Sequence, residues 1–203
     1  MLSVRAGAQV SFEEGEIVYH VALTTADNYT IKGIYVFSIK NRQIRKELTM
    51  DNGYKDITLI NAARGTLYSL QERDGHKYAI QLDMENDLLK KQTRFKGLIV
   101  TKEEPCAHPL AGQKCYKGTV MYKDSTTTEI IYTKAWKPDV PSTWNRFPDA
   151  PFIPLMFSYK EENGVSMVFT AERIEAVPVH TSLFSIPQGY KMISNTEYLQ
   201  LKR

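Results

Sequence analysis

Apolar and polar residues alternate with a period of two along most of the chain, the pattern of strands that bury one face. In Glu16-Ile17-Val18-Tyr19-His20-Val21-Ala22-Leu23, the residues Ile17, Tyr19, Val21 and Leu23 fall on one side. Asp27-Asn28 supplies a turn, and 29–39, rich in β-branched and aromatic residues, is expected to return as the hairpin partner. Asn41 and Asp51-Asn52-Gly53 punctuate the next stretch. Segments 57–60, 66–72 and 76–82 read as three more strands, with Arg64-Gly65 and Asp74-Gly75 at the turns, which makes a meander. The period changes over 85–95, where Leu88, Leu89, Gln92 and Phe95 suit a short amphipathic helix. Alternation returns in 116–122 and 128–133 around the polar Lys123-Asp124-Ser125-Thr126.

The stretch 137–154 holds five of the nine prolines and one of the two tryptophans, so a long irregular excursion over the sheet is expected there. Segments 155–159 and 165–171 flank a hairpin turn at Glu161-Glu162-Asn163-Gly164, and 172–177 extends the second of them. Near the end, Pro187 and Gly189 force turns and Asn195 is a candidate cap for a final short helix. The fold class is therefore mainly β, an antiparallel sheet with a few short helices. No repeat or linker divides the chain, and its 203 residues are read as a single domain over 9–203.

The composition, 42% hydrophobic and 24% charged, is that of a folded globular chain. Its formal charge of +3 is spread without a dense basic run, which speaks against nucleic acid as the partner. The local excesses, four basic residues in 40–46 and Lys90, Lys91, Arg94 and Lys96, read as solvated faces. No apolar run of about 18 residues exists, so no transmembrane helix is expected. Ala6-Gly7-Ala8 before Gln9 has the small-x-small form of a signal-peptidase site. Residues 1–8 are thus read as the remnant of an export signal, the alternative being an ordinary disordered terminus. Cys106 and Cys115 flank a loop with Pro, Gly and Ala, and a disulfide between them would suit an oxidising compartment; two free thiols are the alternative.

Catalytic patterns are missing. The histidines His20, His76, His108 and His180 sit in four different segments, no Gly-x-Ser-x-Gly elbow occurs, and no glycine-rich phosphate loop is present. Cys106, His108 and Cys115 lack the paired spacing of a zinc site, so neither a metal nor another cofactor is expected. Aromatic and methionine side chains are abundant on the expected strands. They suit either a filled core or the wall of an apolar cavity on the concave side of a curved sheet.

The tail carries a family resemblance. Ala171-Glu172-Arg173-Ile174, Pro178-Val179 and Leu183-Phe184-Ser185-Ile186-Pro187-Gln188-Gly189-Tyr190-Lys191 resemble the ending of a group of exported bacterial domains, themselves similar to the LolA/LolB-like periplasmic lipoprotein carriers. Gly112-Gln113-Lys114-Cys115-Tyr116-Lys117, 129–136 and Pro154-Leu155-Met156-Phe157 resemble the same group, so the likeness covers roughly 100–191. It implies a half-open antiparallel barrel lidded by short helices, located in the Gram-negative periplasm or otherwise exported. It also implies an apolar interior for a lipid or a lipoprotein acyl chain, with Tyr19, Phe37, Phe157 and Phe169 as wall residues. No lipoprotein-delivery loop is recognisable, and the resemblance supplies no catalytic residue. Two further readings stay open: an envelope protein with a packed interior that meets a protein partner, and, last, a hydrolase with dispersed carboxylates.

Overall fold

The structure, a computed structural model, describes residues 9–140, 143–161 and 163–201. The export-signal reading of 1–8 lies outside those residues. Among the described residues twelve strands form one sheet with two arms. The first arm is a meander of β2 (Glu14–Thr24), β3 (Thr30–Lys40), β4 (Gln43–Met50), β5 (Lys55–Asn61), β6 (Thr66–Arg73) and β7 (His76–Leu82). The second arm is β8 (Ile99–Pro105), β9 (Tyr116–Met121), β10 (Thr127–Thr133), β12 (Ile153–Lys160) and β13 (Ser166–Glu175). The arms join where β13 pairs antiparallel with β2. Only β14 (Lys191–Ser194) is parallel to its neighbour in this sheet, lying beside β7. The strand order is thus β14-β7-β6-β5-β4-β3-β2-β13-β12-β10-β9-β8. A separate parallel pair, β1 (Val10–Phe12) with β11 (Trp136–Pro138), sits at one end.

Register shifts at Ile131/Tyr132, Ala171/Arg173 and Thr101/Glu104 interrupt the second arm. Extra residues of this kind bend a strand and raise its twist, which helps the sheet to curl. Close approach at the join requires a glycine. At Gly15 (φ 148°), a Cβ would lie 2.2 Å from the Glu175 carbonyl oxygen and 2.7 Å from the Phe12 ring.

The main core lies on the concave side, with Ile17, Tyr19, Val21, Phe37, Ile39, Ile44, Ile130, Tyr132, Phe157 and Phe169 all buried. Two covers close over it. One is a helical segment that runs through Met84–Leu89, Lys90–Gln92 and Thr93–Phe95, started by the Asp83 side chain accepting from the amides of Glu85 and Asn86. The other is the irregular excursion, whose Trp144, Phe147 and Phe152 turn inward and are buried. A smaller apolar group on the convex side, Ile57, Leu59, Leu70 and Ala79, is covered by Ile186 and Tyr190 of the tail.

The expected hairpins, meander, helix and excursion are all present. The final helix (Asn195–Gln200) differs in its cap, because Ser194 and Glu197 form a reciprocal capping box and Asn195 is the first helical residue. Among the described residues no helix is long and apolar enough to cross a membrane.

Candidate ligand-binding site

The site begins with the register of one hairpin. Asn41 and Arg42, with φ of 48° and 61°, make the two-residue turn that joins β3 to β4 and sets Lys40 opposite Gln43. Counting inward, Ile39 then faces Ile44, Phe37 faces Lys46 and Tyr35 faces Leu48. Because side chains alternate along a strand, Ile44, Lys46, Leu48 and Met50 share the concave face. Three are apolar; the fourth is a lysine only 4% exposed.

The reading of 40–46 as a solvated basic face is therefore corrected. Arg42 is exposed, but Lys40 and Arg45 are half-buried. Lys40 Nζ lies 2.7 Å from Glu14 Oε1 and donates to the Val179 carbonyl at 2.7 Å. Arg45 pairs with Glu47 at 2.6 Å and donates to the Leu183 carbonyl at 3.3 Å. These charges hold the tail against the hairpin, while Lys46 points the other way.

Further along the concave face, Phe157 on β12 and Phe169 on β13 are directly paired, their rings stacked with centroids 4.7 Å apart. Tyr19 on β2 meets Phe37, Phe157 and Phe169 edge-on, and its hydroxyl donates to the Pro154 carbonyl at 2.8 Å. Burial pushes its phenol well above the ordinary tyrosine range. From above, Trp144 stacks on Phe37 at 5.6 Å and Phe147 meets Phe157 edge-on at 5.4 Å.

A cavity of about 260 Å³ remains under this cover. Its floor is Tyr35, Phe37, Lys46, Phe157 and Phe169, and its roof includes Leu88, Gln92, Phe95, Trp144 and Phe147. Of the four wall residues expected, Phe37, Phe157 and Phe169 line it, whereas Tyr19 packs against all three rings without reaching the space. The exposed Lys91, Arg94 and Glu161 mark its rim.

At the rim the guanidinium carbons of Arg94 and Arg146 stand 4.6 and 5.2 Å from the Phe95 ring centroid. Arg146 also lies 4.5 Å from the Tyr159 ring and 3.5 Å from Glu161 Oε1. Phe95, Arg94, Arg146, Tyr159 and Glu161 form a common wall with a more polar surface groove of about 830 Å³.

Inside the cavity, Lys46 Nζ reaches Asn145 Oδ1 at 3.4 Å, long for a hydrogen bond, and sits 5.7 Å from the Phe37 centroid. Burial pushes its amine down to about 8, against the opposing pull of the Asp56 carboxylate. Burial in turn raises the Asp56 carboxyl, although the Gln71 amide donates to it at 2.9 Å. Sequence reasoning passed over Lys46 because its charge hid the alternation Ile44-x-Lys46-x-Leu48-x-Met50, a signal that was there to be read.

Cys106 and Cys115 extend the Pro105↔Tyr116 register, and the Cys106 amide donates to the Cys115 carbonyl at 2.9 Å. The structure holds them as free thiols. Cys115 Sγ donates to the His108 carbonyl at 3.3 Å, and burial followed by the nearby Cys115 thiol pushes the Cys106 thiol up to about 11. Among the described residues no group of three His, Cys, Asp or Glu side chains is placed to hold a metal ion.

No protein-family model and no curated protein matches the sequence. Similar solved structures include a LolA superfamily protein from Nitrosomonas europaea, with 10% identity and a TM-score of 0.38, covering 88% of this chain and 92% of that one.

Proposed function

We propose that this chain is a non-enzymatic binding module of the bacterial cell envelope, which holds a lipid or acyl chain in the concave side of its sheet. The observation that carries the reading is the cavity of about 260 Å³ left between a wall of stacked aromatic rings and a cover of helix and loop. A space of this kind, with an aromatic floor and a lining that mixes apolar with polar and charged side chains, suits a small-molecule ligand. It falls just below the usual range of ligand-pocket volumes, about 300–1,000 Å³, so a single chain of moderate length fits better than a diacyl lipid. Phe37, Phe157 and Phe169 are the assigned contact residues and Tyr19 supports them from below. An exported location and a Cys106–Cys115 disulfide belong to the same reading.

Neutral 1-alkanols of increasing length, titrated against delipidated protein, test it apart from any charge. Each methylene buried adds up to about 0.8 kcal/mol, so affinity should climb with length and level off once the cavity is full. Native mass spectrometry of protein from its own host should show a co-purifying lipid. Absence of saturable binding at every length would leave the packed-interior reading in its place.

A further inference from the structure

We propose that the cavity takes a medium-chain carboxylate, head inward, with the Lys46 ammonium as counter-ion and the aromatic floor as the bed of the alkyl chain. The inference rests on the ligand-binding reading and adds the chemistry of the ligand.

An ammonium withdrawn from water is unfavourable unless an anion or several acceptors replace its hydration. Lys46 has one long hydrogen bond and one ring, and among the described residues it makes no ion pair. None of the described carboxylates reaches it directly: Asp56, on the same face, pulls on it across space without an ion pair and accepts from Gln71 at 2.9 Å, while Asp87 pairs with Lys91 at 3.6 Å and Glu161 with Arg146 at 3.5 Å. The neighbours of Lys46 on its face of the strand, Ile44, Leu48 and Met50, show that an apolar residue would fill the position. A charge kept there is therefore a feature that a ligand explains.

The form of the ligand is set by its surroundings. Of the cations lining the cavity, Lys46 alone is buried and free of an ion pair among the described residues, which matches one negative charge; a dianionic phosphate would bring a second charge for the rim cations to meet, and Lys91 and Arg146 there already face Asp87 and Glu161. The apolar floor beside Lys46 excludes a small hydrated anion as the best fit and favours an alkyl tail. The rim arginines are the alternative seat for the head. Arg94 is solvated there, however, and Arg146 already faces Glu161, so both offer less than a desolvated ammonium.

Decanoate and 1-decanol, equal in length and different in charge, provide the test, read by calorimetry and by the fluorescence of Trp144 in the cavity wall. Decanoate should bind about tenfold or more tightly than decanol near neutral pH, the gain expected of a charged hydrogen bond. In Lys46→Met, and in Lys46→Gln as a second variant, that preference should vanish while decanol still binds. Equal binding of the two by wild type would overturn the inference and leave the apolar-ligand reading standing. Binding of neither would overturn both. Should Lys46→Met keep the preference while Arg94→Gln or Arg146→Gln loses it, the head sits at the rim and the inference fails. If neither Lys46 variant folds, the wild-type comparison decides the matter.

Discussion

At the scale of single residues, Lys46 puts a cost into the fold. Its folded pKa near 8 lies below the value of about 10.4 for an unfolded lysine, so the unfolded chain keeps its proton where the folded one has released it. Stability from this group therefore rises as pH climbs from 8 to 10.5. Lys46→Met should stabilise ligand-free protein near pH 7 by on the order of 3 kcal/mol, an advantage that shrinks toward zero above pH 10.5. Urea unfolding of both proteins at a series of pH values measures the difference. The comparison cancels what both share: the raised Tyr35, Tyr159 and Cys106, whose stabilisation falls as pH rises, and the charges of Asp87, Lys91, Arg94, Arg146 and Glu161 around the site; Asp56, which Lys46 pulls down, does not cancel, but it titrates well below this window. An advantage independent of pH would point to packing alone. The cysteines make a second residue-scale case. With its pKa near 11, Cys106 is protonated at neutral pH and should alkylate slowly. In protein exported to an oxidising compartment the pair should be bonded, adding about 2–3 kcal/mol by loop closure. Intact mass after alkylation without reduction should show no added label; two labels on exported protein would refute the bond.

At the scale of elements, the excursion between β11 and β12 acts as a plug, since Trp144 and Phe147 occupy space the curved sheet would otherwise leave open. Trp144→Ala should cost about 3–5 kcal/mol in thermal or urea unfolding. It should also lengthen the alkanol at which affinity stops rising. A shorter optimum would place the ligand elsewhere. Legibility divides along the same elements. The strands with three or four apolar residues on one face were plain from alternation, and the excursion from its prolines. Strand β4 was hidden because Arg45, Lys46 and Glu47 stand together and blur which face is which. Strand β8 carries Lys102-Glu103-Glu104 across a register shift, and β14 is four residues long and exists through its parallel pairing with β7. Such short or charged edges take their form from tertiary contacts that no local pattern contains. In the site, Phe37, Phe157 and Phe169 were legible as inward residues, while Lys46 was legible from the alternation of Ile44, Leu48 and Met50 around it and was masked by its own charge.

At the scale of the whole molecule, one sheet serves as wall on its concave side and as anchor for the tail on its convex side. The charges Lys40 and Arg45 fix the tail while Lys46, on the same strand pair, faces the cavity. The join of β2 with β13 has a further consequence, in the order of assembly. Every other antiparallel pairing, apart from β10 with β12, is between strands adjacent in sequence; β2 with β13 brings together opposite ends of the chain. Loop-closure entropy weighs most on that pairing, so each arm is free to zip up from its own turns before the seam is sewn. Until then the inner faces of β2 and β13, Tyr19 and Phe169 among them, stand open along unpaired edges. The span from emergence of β2 to arrival of β13 is when a nascent chain of this kind has greatest need of a chaperone.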